Sequence, residues 1–380
     1  DAQLAPGPKP PPRPSGDAVL LTGATGFLGA FLLAELIESS AGEVRCLVRA
    51  KTPEEARERV VGNLAGYGLS LPADAAVRFV PCDLGAPGLG LTREKRQQLA
   101  QGLGRIVHCA AVVDFFRDYA ALRSANVEGT RGLVELALES GARLDLVSTI
   151  GVLVGTEVPT AMRNERTPLD EIDDLAGGYE QSKWVAEALA LEAGRRGLAV
   201  AIHRPGRVAP SAQRSPGAGS SADFSGRFLL GCLELGCAPD LDAPIDLVPV
   251  DHVARAVVRL GPGCHHLLNP EPTPYRALLE AARARGNQLE FLPLGAWRAR
   301  LIDSERLAPI AALLHGLTED QAEAALTPDR ALSAVDSTAS HAELRRLGVD
   351  APAVDAAWCD AAIRNLEERG ELPLSAAPPG

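Results

Sequence analysis

Three residues in this chain have the types and spacing needed to manage a proton at a reacting oxygen. Tyr179 and Lys183, in Y-E-Q-S-K, stand four apart, so on a helix they share one face about a turn apart. A free tyrosine, with a pKa of about 10, is a poor proton donor at neutral pH. An ammonium at roughly 4 Å in an effective dielectric of about 20 contributes about 4 kcal/mol, enough to lower the phenol by up to about three units. Thr149 closes the run L-D-L-V-S-T, where its hydroxyl would donate a hydrogen bond to a substrate oxygen as negative charge develops. Ser148 alternates to the opposite face and is the lesser choice. An S-T strand end followed by Y-x-x-x-K predicts a reductase-type site.

A site of this kind needs a scaffold, and the clearest sign of one is L-L-T-G-A-T-G-F-L-G, residues 20–29. An apolar strand stops in three glycines spaced three apart and then turns helical, the pattern of a dinucleotide turn. Gly23 allows the tight turn, Gly26 lets backbone approach a pyrophosphate, and Gly29 lets the next helix pack closely on the sheet. Thr25, Phe27 and Leu28 belong to the same turn and are counted among the cofactor contacts.

Strand and helix signals then alternate, which predicts an α/β fold: a Rossmann-type doubly wound parallel sheet with a smaller, mostly helical C-terminal domain. Strands are expected at 18–22, 43–49, 77–81, 105–109, 144–149 and 200–204. Helices are expected at 29–39, 53–67, 93–102, 124–140 and 179–196. Residues 1–16, rich in proline, read as a linker in extended polyproline II. Residues 17–209 form the dinucleotide-binding domain, completed by 243–262. The glycine- and serine-rich insertion at 210–242 is expected to act as a lid, and 263–380 to bind substrate.

Further residues fit the same cofactor. Arg49 ends the second strand, where an acid would accept the adenosine ribose 2′-hydroxyl. With Lys51 nearby and Arg59 on the next helix, it would attract a 2′-phosphate, so NADP(H) is expected over NAD(H). Asp83 would accept a hydrogen bond from the adenine amino group, with Leu84 over the ring, although an Asp ending a strand is also a common turn residue. Ala110 and Ala111 are small enough to let a cofactor lie against the backbone. His108, ending a buried strand, reads as a structural group, as does Asn126 in its helix.

At 380 residues and a net charge of −11, the chain has ample apolar content for a core and lacks the basic surface a polyanionic partner would need, so no nucleic acid is expected. There is no signal peptide and no run of 18 apolar residues, so no membrane partner is expected. Seven cysteines, odd in number and without a C-x-x-C pair, read as reduced buried thiols in a cytoplasmic protein. No metal-ligand set is expected.

The glycine spacing G-x-x-G-x-x-G and the Y-x-x-x-K pair resemble the extended branch of the short-chain dehydrogenase/reductase superfamily. V-L-L-T-G-A-T-G-F-L-G, C-L-V-R-A, S-T-I-G-V, G-Y-E-Q-S-K-W-V-A-E, H-R-P-G-R-V and V-P-V-D-H-V-A-R-A-V resemble more narrowly the terminal thioester reductase domains of nonribosomal peptide and polyketide synthetases, also found in carboxylic acid reductases. The likeness covers about 19–372 and includes the late D-S-T-A-S-H-A-E-L-R-R-L-G at 336–348, with a looser match from 262 onward. Cys109 stands where the family often has Asn.

This resemblance implies an NADPH-dependent enzyme that releases an acyl or peptidyl thioester from the phosphopantetheine arm of an upstream carrier domain, as an aldehyde or, with a second NADPH, an alcohol. It assigns Thr149, Tyr179 and Lys183 to catalysis and passes Pro205, Gly206 and Val208 beside the nicotinamide. Arg207 is left between a substrate contact and an ordinary ion pair. Excised, the domain is expected to be a monomer. The alternatives are a nucleotide-sugar epimerase or dehydratase, a non-redox Dieckmann-type release domain that typically lacks the tyrosine, and a non-catalytic scaffold.

Overall fold

The computed structural model describes residues 1–4, 16–39, 42–154, 161–169, 175, 177–212, 224–241 and 243–372. Most of the proline-rich opening and of the expected lid therefore lie outside the described residues. The chain divides into two units: Asp1–Gly206, Val250–Leu268 and Ala334–Asp350 form the first, and Arg207–Pro249, Asn269–Ser333 and Ala351–Gly380 the second.

In the first unit, β1 (Ala18–Thr22), β2 (Val44–Arg49), β3 (Val77–Cys82), β4 (Leu103–His108), β5 (Arg143–Val147), β6 (Val200–Pro205) and β7 (Gly263–Leu267) make one sheet in the order β7-β6-β5-β4-β1-β2-β3. Every neighbouring pair is parallel. Strand order reverses between β1 and β4, and in such sheets the crevice beyond the carboxyl ends of the strands at that reversal is where ligands bind.

Helices α1 (Phe27–Ser39), α2 (Pro53–Gly66), α3 (Arg93–Ala100), α4 (Tyr119–Arg123), α5 (Gly129–Ser140), α6 (Gly178–Arg195), α7 (Val250–Arg259) and α8 (Thr338–Arg346) complete the unit. On one face, Leu20, Ile106, Leu144 and Leu146 of the sheet are buried beneath Leu133, Leu136 and Leu189 of α5 and α6. Each such side chain contributes about 1.5–3 kcal/mol of burial. Elsewhere in this unit α1 packs against α7.

Two features depart from the expected layout. The seventh strand starts at Gly263, inside the range expected to bind substrate. Its G-C-H-H-L sequence hides a strand because His266 is held internally, its N–H donating to Ser340 Oγ at 2.8 Å and its Nδ1 bonded to the Asp336 carbonyl oxygen at 2.8 Å. The same bonds draw the 334–350 segment, with α8, into the first unit. The helix expected over 124–140 begins as a π-turn at Ser124–Glu128 and becomes regular at Gly129.

The second unit is mostly helical, with Trp297 fully buried among Phe228, Leu279, Ile310 and Leu314. Its strands are two- and three-residue pairings, such as Arg207–Ala209 with Leu247–Pro249. All seven cysteines are free thiols, and all but Cys109 and Cys264 are buried. Among the described residues no helix is long and apolar enough to cross a membrane.

Candidate active site

The first turn has the backbone geometry its glycines suggest. Gly23 adopts φ +84°, and a Cβ there would stand 2.8 Å from the Ala110 nitrogen. A Cβ on Gly29 would stand 1.8 Å from the Gly23 carbonyl oxygen, so helix and turn meet at a distance no other residue permits. The turn closes through a 2.8 Å bond from Gly26 N–H to the Gly23 carbonyl. Helix α1 has no acid in its first turn, leaving its positive end free for an external anion.

Asn63 of α2, which the sequence reading missed, donates 3.0 Å bonds to the carbonyls of Ala24 and Gly26 and braces the turn. Asparagine is a poor helix former, and its place inside V-V-G-N-L was the available signal. Thr25 and Leu28 are half-buried beside the turn, while the Phe27 ring packs on Phe31 and Tyr67.

At the end of β2, Arg49 and Arg59 come together, with the Arg59 guanidinium on the Arg49 carbonyl. Both side chains are exposed, and neither makes an ion pair among the described residues. Asp83 is exposed with one carboxylate oxygen accepting from Gly85 N–H at 3.1 Å, so it is also a turn residue. Leu84 packs against the core. Ala110 and Ala111 are half-buried, and Ala110 N–H donates to Thr22 Oγ1 at 3.1 Å. These groups fit a dinucleotide: a side-chain-free turn at a helix N-terminus for the pyrophosphate, and cations at the ribose position.

His108 is structural. Its ring bridges Thr22 Oγ1 at 2.8 Å and Thr130 Oγ1 at 2.9 Å, and complete burial pulls its pKa down to about 3, so it stays neutral. Asn126 accepts from Val112 N–H at 2.7 Å and donates to the Val112 carbonyl and Ser182 Oγ at 3.0 Å each. Ser182 in turn donates to the Tyr179 carbonyl at 2.7 Å, so the amide ties the segment after β4 to the start of α6.

Strand β5 ends at Val147, and the next two residues diverge as alternation requires. Ser148 turns into the core, where its hydroxyl donates to Glu187 at 2.8 Å, and Glu187 is ion-paired with the buried Arg204. Thr149 caps the short turn Ile150–Leu153, accepting from Gly151 N–H at 3.2 Å. Tyr179 and Lys183 lie on the buried face of α6, and Lys183 Nζ donates a 2.6 Å bond to the Val147 carbonyl. The Tyr179 ring meets Phe115 edge-on at 5.2 Å.

The electrostatics correct one expectation. Lys183 does not lower the Tyr179 phenol: burial above all, and then the neighbouring Glu180 carboxyl, holds it above its ordinary range. Burial also lowers Lys183 to about 8, with Cys109 and Glu187 opposing the drop. The four-residue spacing brings both groups to one face, but the ammonium is committed to a backbone carbonyl. Burial raises the Cys109 thiol to about 12, so it is not a thiolate at neutral pH.

Pro205 ends β6 opposite Leu267, and Gly206 N–H donates to the Leu267 carbonyl at 3.0 Å. Val208 lies in the second unit, paired with Val248, and Arg207 is ion-paired there with Asp329 at 3.2 Å. Glu180, also missed, lies beside Thr149 with its carboxyl against Gly151 and Gly177.

The family model described as male sterility protein matches residues 21–257. The isonitrile lipopeptide synthase of Streptomyces coeruleorubidus is 36% identical over 404 residues, covering 100% of this chain and 27% of that protein. The glycine betaine reductase of Emericella nidulans is 39% identical over 299 residues, 74% of this chain and 23% of that protein. The chain thus spans about a quarter of the length of these two curated relatives. Among solved structures, the terminal R domain of the myxalamid PKS-NRPS pathway superposes with a TM-score of 0.86 at 35% identity, covering 97% of this chain and 95% of that one. The reductase domain of a nonribosomal peptide synthetase from Mycobacterium tuberculosis gives 0.75 at 27% identity, covering 96% and 94%.

Proposed function

The chain belongs to the male sterility protein family of NAD-binding domains, and from that premise we propose that it is an NADPH-dependent reductase that releases an acyl or peptidyl thioester from the phosphopantetheine arm of an upstream carrier domain. The observation that supports the reading is the Lys183–Val147 bond, which joins the helix carrying Tyr179 and Lys183 to the strand end two residues before Thr149. A related terminal R domain of similar length supports the substrate class.

The cofactor, when bound, supplies a hydride. Gly23, Thr25, Gly26, Phe27, Leu28 and Gly29 would hold its pyrophosphate, Arg49 and Arg59 its 2′-phosphate, and Asp83 and Leu84 its adenine. Ala110, Ala111, Pro205 and Gly206 would border the rest. Arg49 and Arg59, exposed and without an acid partner among the described residues, support NADPH over NADH.

Thr149 and Tyr179 hydrogen-bond the thioester carbonyl oxygen, and Tyr179 delivers its proton there as charge develops. Burial makes the phenol a weaker acid, so it keeps its proton at neutral pH and gives it up only to an oxygen on which strong negative charge develops. Lys183 keeps one N–H on the Val147 carbonyl and has two more for ribose hydroxyls. The resulting hemithioacetal expels the carrier thiol and leaves an aldehyde, which a second NADPH can reduce to an alcohol. Thiol release from a carrier-bound thioester in step with NADPH oxidation is the expected result; thiol release without NADPH consumption overturns the proposal.

A further inference from the structure

Glu180 follows Tyr179 in the first turn of α6 and has no role in the scheme above. Its carboxyl occupies a slot between two glycines. A Cβ on Gly151 would lie 3.1 Å from its Cγ and 3.7 Å from its Oε1, and one on Gly177 would lie 3.1 Å from its Oε2. The same point above Gly151 is 3.4 Å from Thr149 Oγ1, so the carboxyl and the threonine hydroxyl border one space. Among the described residues, no other side chain hydrogen-bonds or ion-pairs with this carboxyl; its own backbone N–H is the donor acting on it. Burial holds it above the usual carboxylate range, which favours the protonated acid. An acid without a side-chain partner, next in sequence to Tyr179 and bordering the same space as Thr149 Oγ1, marks a functional position.

Given the thioester-reductase reading, on which this inference rests, one proton transfer lacks a donor. When the hemithioacetal collapses, its hydroxyl proton returns to the Tyr179 phenolate, the carbon–oxygen double bond forms, and the carbon–sulfur bond breaks with its electron pair on sulfur. The sulfur must then gain a proton. We infer that Glu180 is the general acid that protonates the departing carrier thiol. The carboxylate left behind recovers its proton from water, to which the half-buried side chain has access.

The test is leaving-group dependence. Glu180→Gln keeps the shape of the side chain and removes the acid, so reduction of an alkyl pantetheine thioester is expected to fall about 100-fold, at the low end for general acid catalysis. An aryl thioester, whose thiol leaves without protonation, is expected to bring the variant to within about threefold of the parent. The ratio of alkyl-thioester to aldehyde reduction should fall at least tenfold, because an aldehyde has no leaving group. Fluorescence titration with NADPH should read the same affinity in Glu180→Gln and Glu180→Ala, reporting an intact fold. An equal loss on alkyl and aryl thioesters, or no loss on either, overturns the role for Glu180. A parent protein that oxidises NADPH with neither thioester fails at the reductase reading instead, and this role falls with it.

Discussion

The Lys183 ammonium, 3% exposed, donates a 2.6 Å hydrogen bond to the carbonyl of Val147, the last residue of β5. That bond fastens α6 to the strand two residues before Thr149, so the phenol carrier and the hydroxyl carrier cannot drift apart independently. Burial has left this lysine with a depressed pKa, and the bond is charge-assisted only while it stays protonated.

The pH profile should therefore report it. Lys183 is charged below about 8 and neutral above, so kcat/KM with a thioester is predicted to hold through neutral pH and fall as pH rises past that value. Lys183→Arg should move the alkaline limb upward, because a guanidinium stays charged. An alkaline limb that does not move in this variant contradicts the assignment.

Tyr179→Phe should abolish thioester-driven NADPH oxidation, with a loss of at least about 100-fold for a removed general acid, and leave cofactor affinity within about twofold. The ring remains to pack against Phe115, so the loss reads chemistry and not folding. Steady-state rates and fluorescence titration separate the two.

Cofactor choice is predicted to rest on Arg49. Arg49→Asp removes a cation from the end of β2 and adds an acid, which should cost NADPH about 1.5–3 kcal/mol, or roughly 10–100-fold in kcat/KM, and favour NADH. The exposed side chain carries little of the fold. Equal use of both cofactors by the parent protein would contradict this reading of the strand end.

In the second unit, burial and the nearby Asp329 charge raise Asp246 from 3.8 to about 7, while the Asn269 N–H bond opposes the rise, and its Oδ2 has no hydrogen-bond partner. The folded state thus binds a proton more tightly than the unfolded chain. Stability from this group is greatest below the ordinary carboxyl pKa and is lost as pH rises to about 7, with a slope of up to about 1.4 kcal/mol per pH unit. Asp246→Asn keeps the oxygen that accepts from Asn269 and should raise the Tm at pH 8 while changing it little at pH 4. Thermal melts at the two pH values check the sign.

The framework was legible in the sequence where local physics decides it. The strands around the glycine turn show as buried apolar runs, and the turn itself as glycines that cannot be replaced without backbone collision at Gly23 and Gly29. Strand β7 was not legible, because two histidines interrupt its apolar run: His265 is bonded to the nearby Gly261 carbonyl, but His266 takes partners about 70 residues away in Ser340 and Asp336. The spacing of Tyr179 and Lys183 was readable from helical geometry. The lysine's actual partner was not, since it is a backbone oxygen on another element. Asn63 and Glu180 escaped notice for the same reason: their partners are carbonyls and glycines that only the folded chain brings near.

Reductive release itself is tested most directly by mass spectrometry of the products formed from a panel of synthetic acyl-pantetheine thioesters with NADPH. The account predicts free pantetheine thiol together with the matching aldehyde or alcohol, at one NADPH consumed per aldehyde and two per alcohol. A free carboxylic acid or a cyclised acyl product, formed while NADPH remains unoxidised, would contradict it.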